Sequence, residues 1–427
     1  MDWTFILAVS LFAITYICLL VFPKVRAYIA LGSAALFVIL GILPVNKVLG
    51  AVDWNVLMMI GGTMGIVALF IDSKMPALMA DMIIKKTPNL RWAIIALSLF
   101  SSLVSAFVDN VATVLMLAPI ALSICQKLNV SPVKSLIAIS IASNLQGAAT
   151  LVGDTTSIMM AGAAGMNFMD FFVYKGNLGM FFVVQAGCLA ATFVLWLLLR
   201  EEKQPIKLEG DTKVTNYFPT VLLFSMIALL IAASFIPEKY KLDITNGLIC
   251  MSLLVVGLVV EFARKKNFAV IKDTIKEIDY FTLLLLTGLF IVIGGIKEAG
   301  VIDALSKLFV KAGGGNLFLI FTIIVWASVL ISMFVDNIPY TATMLPVVAS
   351  IAALMNIDPT ILYFGLLCGA TLGGNLTPIG ASANIAALGI LRKQGQEVKA
   401  LEFMKISVPY TLAAVTVGYL MIWFIWA

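Results

Sequence analysis

Phe107-Val108-Asp109-Asn110 returns about 227 residues later as Phe334-Val335-Asp336-Asn337, and each copy sits in the middle of an apolar run. A carboxylate inside such a run is costly, so two at equivalent places of two halves mark a site. The same offset carries Ala118-Pro119-Ile120 onto Leu345-Pro346-Val347 and Thr150-Leu151-Val152-Gly153 onto Thr377-Pro378-Ile379-Gly380. With a slip of one residue, Asp53-Trp54 meets Asp279-Tyr280. Several matches in the same order, each at the same place relative to the hydrophobic segments, imply a duplicated chain divided into 1–216 and 217–427.

The chain is 62% hydrophobic and only 12% charged, against roughly 25% charge in a soluble domain. It is therefore expected to be an integral membrane protein. Runs such as 5–22, 221–235 and 283–296 approach the roughly 17–25 residues that a bilayer demands. The longest polar stretch, 200–216, is too short for an attached soluble domain. The first apolar run has neither a basic leader nor a small-residue cleavage site and is expected to be a span. Five cysteines stand singly and histidine is absent, so neither disulfides nor zinc sites are expected. The net charge of +5 comes from Lys and Arg at segment ends, where they set topology; no nucleic-acid partner is expected.

Punctuation by Gly, Pro and charge places spans near 3–22, 27–43, 54–71, 134–163 and 176–199, interrupted by a helical hairpin at 91–126. The second half repeats this with spans near 219–236, 243–262, 280–297, 358–391 and 405–426 and a hairpin at 316–355. Shorter segments at 75–87 and 299–312 are expected to lie in the interface. The fold class is thus an all-α polytopic membrane protein of two repeats, each with five spans and one re-entrant hairpin. Five crossings per half is an odd number, so the second repeat enters the membrane inverted. With both termini outside, most Lys and Arg, including Lys24, Arg26, Lys85, Lys86, Arg91, Arg200, Lys203 and Arg264 to Lys266, fall on the cytoplasmic side, as the positive-inside rule asks of a plasma-membrane protein.

The Asp-Asn pair falls at the middle of each hairpin. Non-helical backbone at that depth is tolerated only where it is buried in protein or lines a cavity, and such breaks are where transporters bind ions. Asp109 and Asp336 can cap the helices that follow them. A carboxylate, an amide at Asn110 or Asn337 and a hydroxyl at Thr113 or Thr341 also make a hard-oxygen set suited to Na+. The 134–163 span breaks at Ser143, Asn144, Thr150, Gly153, Asp154 and Thr155, and the 358–391 span at Thr371, Asn375, Thr377, Gly380, Ser382 and Asn384. Asp154 aligns with Ala381, so the repeat is asymmetric. Three carboxylates gather with no evident basic partner at membrane depth, and a cation or protons must neutralise them. Lys297 and Glu298, at a span end, are expected to snorkel or pair at the interface.

At Ala106 to Asn110 with Thr113, at Asp336 to Thr343 and at the paired Thr-x-x-Gly elements, the chain resembles the ArsB/NhaD permease group of the ion transporter superfamily, including P protein-like sequences and relatives of divalent anion/sodium symporters. The resemblance spans essentially the whole chain. It implies a homodimer in which a scaffold holds a mobile part carrying both hairpins and both broken helices, an elevator arrangement. It departs from the group at Gly153-Asp154-Thr155-Thr156-Ser157 and at Gly373 to Gly380, beside the expected substrate site.

The function expected is secondary active transport, coupling a Na+ or H+ gradient to a small ion such as an arsenite-type oxyanion or oxyacid, or a carboxylate. The ion-coupling set is Asp109, Asn110, Thr113, Asp336, Asn337, Thr341 and Asp154, and the residues of the two broken spans form the substrate set, with Asn144, Thr150, Asn375 and Thr377 facing the cavity. Na+/H+ antiport of the NhaD kind is the alternative, and the shortage of core Arg and Lys favours it. No catalytic residues and no cofactor beyond the coupling ion are expected. An intramembrane aspartyl protease would also use paired aspartates, but leaves the repeat, the second hairpin and Asn110/Asn337 without a role. No P-loop is present to drive a pump.

Overall fold

A computed structural model describes residues 3–205, 213–214 and 216–427. The junction of the two halves, at 216/217, therefore borders residues outside the described set. Ten helices precede it: α1 (Trp3–Val21), α2 (Arg26–Ile39), α3 (Val45–Ala51), α4 (Trp54–Asp72), α5 (Met75–Ile84), α6 (Leu90–Ser105), α7 (Asn110–Lys127), α8 (Val133–Gln146), α9 (Thr155–Ala164) and α10 (Met180–Leu198). Ten follow: α11 (Phe218–Ser234), α12 (Thr245–Lys265), α13 (Ala269–Glu277), α14 (Tyr280–Glu298), α15 (Val301–Ala312), α16 (Leu317–Ser332), α17 (Asn337–Met355), α18 (Thr360–Gly373), α19 (Ser382–Lys393) and α20 (Ala400–Trp426). Each decad has its breaks at the same places, between its sixth and seventh helices and between its eighth and ninth.

Among the described residues, eight helices are long and apolar enough to cross a membrane, or up to nine if α15 and α16, bent by 116°, form one span. The protein is a multi-pass membrane protein. The expected spans at 27–43 and 219–236 form helices of 14 and 17 residues, α2 and α11. The first stops at Ile39 because Gly41 takes a left-handed conformation (φ +70°) and Pro44 follows, an ordinary helix stop. The second arms of the hairpins are longer than half-helices. α7 and α17 run 18 and 19 residues, whereas the first arms, α6 and α16, have 16 each.

Three elements go beyond the expected plan. α3 and α13 are short helices that precede α4 and α14. The third is an antiparallel hairpin of β1 (Val173–Tyr174) and β2 (Asn177–Leu178), turned by Lys175 and Gly176, both at positive φ. It displaces the start of the expected 176–199 span to Met180.

The caps repeat with the elements. Asn89 and Asn316 side chains accept from the Trp92 and Leu319 amides, each at 3.2 Å, and open α6 and α16. Asp53 and Asp279 accept from Val56 and Thr282, each at 3.0 Å, and open α4 and α14. Such caps contribute about 1 kcal/mol each by satisfying free amides at a helix start.

Packing also exchanges between halves. α4 lies on α12 and α14 lies on α2, and each pair is drawn together at a glycine. A Cβ on Gly62 would stand 2.6 Å from the Cys250 backbone, and one on Gly288 2.6 Å from that of Ala30. With α1 and α11 these helices form one group. The hairpins pack with the broken pairs α8/α9 and α18/α19, which are covered in turn by α10 and α20. α18 is buried on every face, as its unbroken apolar sequence requires.

Candidate ion-binding site

Each hairpin breaks for four residues, 106–109 and 333–336, and each broken pair for a 3-10 turn and an extended threonine. The two kinds of break are fitted to each other at the level of the backbone. Thr150 donates its hydroxyl to the Ala106 carbonyl, and Thr377 donates to that of Met333. A Cβ on Gly153 would meet Gly147 O at 2.7 Å and Ala106 O at 3.0 Å, and one on Gly380 would meet Gly374 O at 2.6 Å and Ser332 O at 2.8 Å. Only glycine permits these approaches.

Side-chain amides carry the connection across the halves. Asn110 accepts from Ser105 Oγ (2.8 Å) and donates to Asn144 Oδ1 (3.1 Å). Asn144 donates to the Thr371 carbonyl (3.0 Å) and to Asn375 Oδ1 (3.1 Å), and Asn375 donates to the Ile141 carbonyl (2.9 Å). Ser143 donates to Ser105 Oγ (2.9 Å), and Asn384 spans the Gly374 and Thr377 carbonyls. Buried polar groups must be paired in this way or they cost 1–3 kcal/mol each, by order of magnitude.

The carboxylates divide into three kinds. Asp109 caps α7 with one oxygen, Oδ1, which accepts from Val111 N (3.0 Å) and Ala112 N (3.1 Å). Asp154 opens α9, accepting from Thr155 N (2.8 Å), Thr156 Oγ1 (2.9 Å) and, from the other hairpin tip, Asn337 Nδ2 (3.2 Å). Thr156 also lies 2.9 Å from Thr371 Oγ1. Asp336 accepts from Ile338 N (3.1 Å), from Ser382 Oγ (3.4 Å) and from Arg26 Nη1 at 2.5 Å.

The Arg26 pair corrects the expectation that no base reaches the carboxylates and that Arg26 only sets topology. Sequence distance concealed it, since the partners are 310 residues apart; the signal was a basic residue at the very start of a short apolar helix. Glu298 does find a partner near a span end, Lys47 on α3 at 2.6 Å.

A cavity of about 310 Å³ runs from the hairpin tips to the N-terminal ends of α2 and α14. Asp109, Asn110, Asn144, Asp154, Thr155, Asn337 and Ser382 line it at the breaks, and Arg26, Glu277, Asp279 and Thr282 line it near the helix starts. Beyond Asp109 and Asp154 the space narrows to a pocket of about 20 Å³ walled by Ile60, Thr63, Phe107, Gly153 and Ile158. Ile158 in turn borders a second cavity of about 420 Å³ at the opposite end, lined by Asp53, Asn55, Asp243 and Asn246.

Not every expected residue reaches this space. Thr150, Asn375 and Thr377 were expected to face the cavity and do not line it; their polar atoms hold the breaks together. Ser143, Thr371, Gly380 and Asn384 likewise belong to the lacing. Among the described residues the hydroxyls of Thr113 and Thr341 are buried without a hydrogen-bond partner and line neither inner space. They are also not equivalents: Tyr340 occupies the place of Thr113, and its hydroxyl pairs with Ser328 at 3.0 Å.

Comparison with known proteins agrees with this architecture. The chain is similar to the uncharacterized transporter Rv2685 of Mycobacterium tuberculosis, with 30% identity over 98% of both chains. It is 26% identical to the human P protein over 94% of its own length and 57% of that protein. Among solved structures it shares a fold with YdaH of Alcanivorax borkumensis (TM-score 0.61, 14% identity, 99% of this chain and 98% of that one). MtrF of Neisseria gonorrhoeae is similar at a TM-score of 0.55 and 13% identity, over 94% and 84% of the two chains. The family described as Citrate transporter, CitMHS, matches residues 16–369, and the chain belongs to it as a membrane transporter.

Proposed function

We propose that this transporter couples a Na+ or H+ gradient to the movement of a small anion, a carboxylate before an oxyanion of the arsenite type. The observation that carries the reading is that the helix breaks bring Asp109 and Asp154 to a cavity that narrows sharply on one side, with Asp336 just outside its lining behind Arg26, Asn337 and Ser382. Cation ligands at a break, an anion near helix starts and one-sided access are the parts of an alternating-access site. Asp109 with Asn110 and Asp154 form the principal cation position, Asp336 with Asn337 a second. Arg26 and the amide of Asn337 line the space an anion would occupy. The family's description as a citrate transporter favours a carboxylate.

The exchange of α4/α12 for α14/α2 is what an inverted pair of repeats, divided at 216/217, would give. The hairpins and broken helices pack as one group and α1, α2, α4, α11, α12 and α14 as another, which suits an elevator. A homodimer, a place in the plasma membrane with both termini outside, and kinship with the wider ArsB/NhaD group complete the proposal; they rest on the resemblance and on the Lys/Arg distribution.

Na+/H+ antiport is the second reading. Its support is the cavity lining, where Asp109, Asp154, Glu277 and Asp279 stand against the single base Arg26. Solid-supported-membrane electrophysiology with a pH dye on proteoliposomes separates the two. Currents that need citrate, another small carboxylate or arsenite support the first; proton flux evoked by Na+ or Li+ alone supports the second. Silence to every cation and anion would sink both.

A further inference from the structure

The two hairpins are held differently. Asp336 has both oxygens engaged, Oδ1 by Ile338 N and Oδ2 by Arg26 and Ser382, whereas Asp109 Oδ2 has no hydrogen-bond partner among the described residues and Asp109 faces the cavity. Tyr16 of α1 fastens the same second hairpin, donating to the Pro339 carbonyl at 2.8 Å and bonding Thr343 Oγ1. On the first hairpin, Ala112 and Met116, which correspond to Pro339 and Thr343, line open space instead. Gly62 packs on Cys250 as Gly288 packs on Ala30; this aligns Ala30 with Cys250 and, four residues earlier on each helix, Arg26 with Asn246. The second half thus has a neutral amide where the first has a fixed cation.

We propose that Arg26 competes with the coupling cation for Asp336, so that binding the cation and releasing the second hairpin from α1 and α2 are one event. The inference rests on the reading of Asp336 as a cation ligand. A guanidinium stays charged at any accessible pH, and a second cation brought onto the same carboxylate repels it strongly in a medium of low dielectric. Arg26 is poised to leave. Among the described residues it holds Asp336 through Nη1 alone and its Nε is buried without a partner, and its side chain borders the cavity.

The test follows hydrogen–deuterium exchange in the first turns of α17 in purified full-length protein, titrated with Na+ against choline at fixed pH and then with acid in choline. In wild type, the cation should speed exchange there. Arg26→Gln should lower the half-maximal cation concentration by a factor on the order of 5–150, the usual span of coupling between two ligands, while Arg26→Lys should stay near wild type. Adding Asp336→Asn to Arg26→Gln should erase the shift, and a shift that persists overturns the proposal. Tyr16→Phe, which removes the other fastening, should shift the titration in the same direction by less, and it serves as the test should Arg26→Gln not fold. A wild type deaf to both Na+ and pH removes the cation reading and this inference together. A normal wild-type response with unchanged Arg26→Gln and Tyr16→Phe titrations removes this inference alone.

Discussion

Placing alanine at Gly153 or Gly380 tests whether the breaks are held by backbone contact. The added carbon at 153 would lie 2.7, 3.0 and 3.1 Å from the carbonyl oxygens of Gly147, Ala106 and Ser105, and at 380 it would lie 2.6, 2.8 and 2.9 Å from those of Gly374, Ser332 and Met333. All six neighbours are main-chain atoms, so no rotamer change relieves the overlap, and the broken helix must move from the hairpin tip by a few tenths of an ångström. Overpacking of this kind costs about 1–3 kcal/mol. Gly32 and Gly389 are the controls. They lie within α2 and α19 with nothing within 4 Å of an added Cβ, so alanine there should gain up to about 1 kcal/mol of helix propensity. Thermal stability of detergent-purified protein, read by fluorescence-detected gel filtration, should place both break variants below wild type by similar amounts, and both controls at or above it. Break variants as stable as the controls would refute the backbone-contact argument.

Asp109→Asn, which keeps size and capping geometry but removes charge, should abolish cation-dependent transport in proteoliposomes while leaving expression and gel-filtration behaviour intact. Asn144→Ala should strand Asn110 and Asn375 and cost about 1–3 kcal/mol of stability, measurable by the same thermal assay. Cysteines at Ala112 and Met116 should react with water-soluble thiol reagents in an unliganded, otherwise cysteine-free protein, and cysteines at Pro339 and Thr343 should not. The Lys175–Asp358 pair ties the β-hairpin to the start of α18. Burial alone would push Asp358 up, but hydrogen bonds from Lys175 and Thr360 outweigh it and hold the carboxyl below its usual value. Its small contribution, at most about 1 kcal/mol for so exposed a pair, is present above the ordinary carboxylate range and lost as pH falls through the lowered value. A Lys175→Ala variant should therefore differ from wild type in thermal stability at neutral pH and converge with it in acid.

Much of the frame was legible because recurring motifs and apolar run length are properties of the sequence itself. The hairpins, expected at 91–126 and 316–355, form across 90–127 and 317–355, and the glycine-rich segments break where Gly147, Gly153, Gly374 and Gly380 stand. What could not be read was which polar atoms face inward. Thr150 and Asn144 are alike in sequence context, yet one hydroxyl is spent on a carbonyl of its own half and the other side chain crosses to the opposite half. Such choices depend on three-dimensional neighbours. Arg26 escaped notice for the same reason: at a helix start it looks like a topology marker, and only packing of α2 beside the second hairpin brings it to Asp336. α3 and α13 were missed because helices of seven and nine residues carry too few turns for periodicity to register.

Both sets of breaks meet through glycines with no room for a Cβ and through a threonine hydroxyl on a carbonyl oxygen, so their form does not depend on the other side chains being alike in the two halves. Asn144 faces Thr371 across the repeat, Asp154 faces Ala381, and Thr156 faces Ala383, yet the breaks keep the same form. A frame fixed by main chain lets the two halves drift apart in chemistry without either losing its shape. Substitutions at these unequal positions are accordingly the place where a new cargo could be selected with the least penalty in folding.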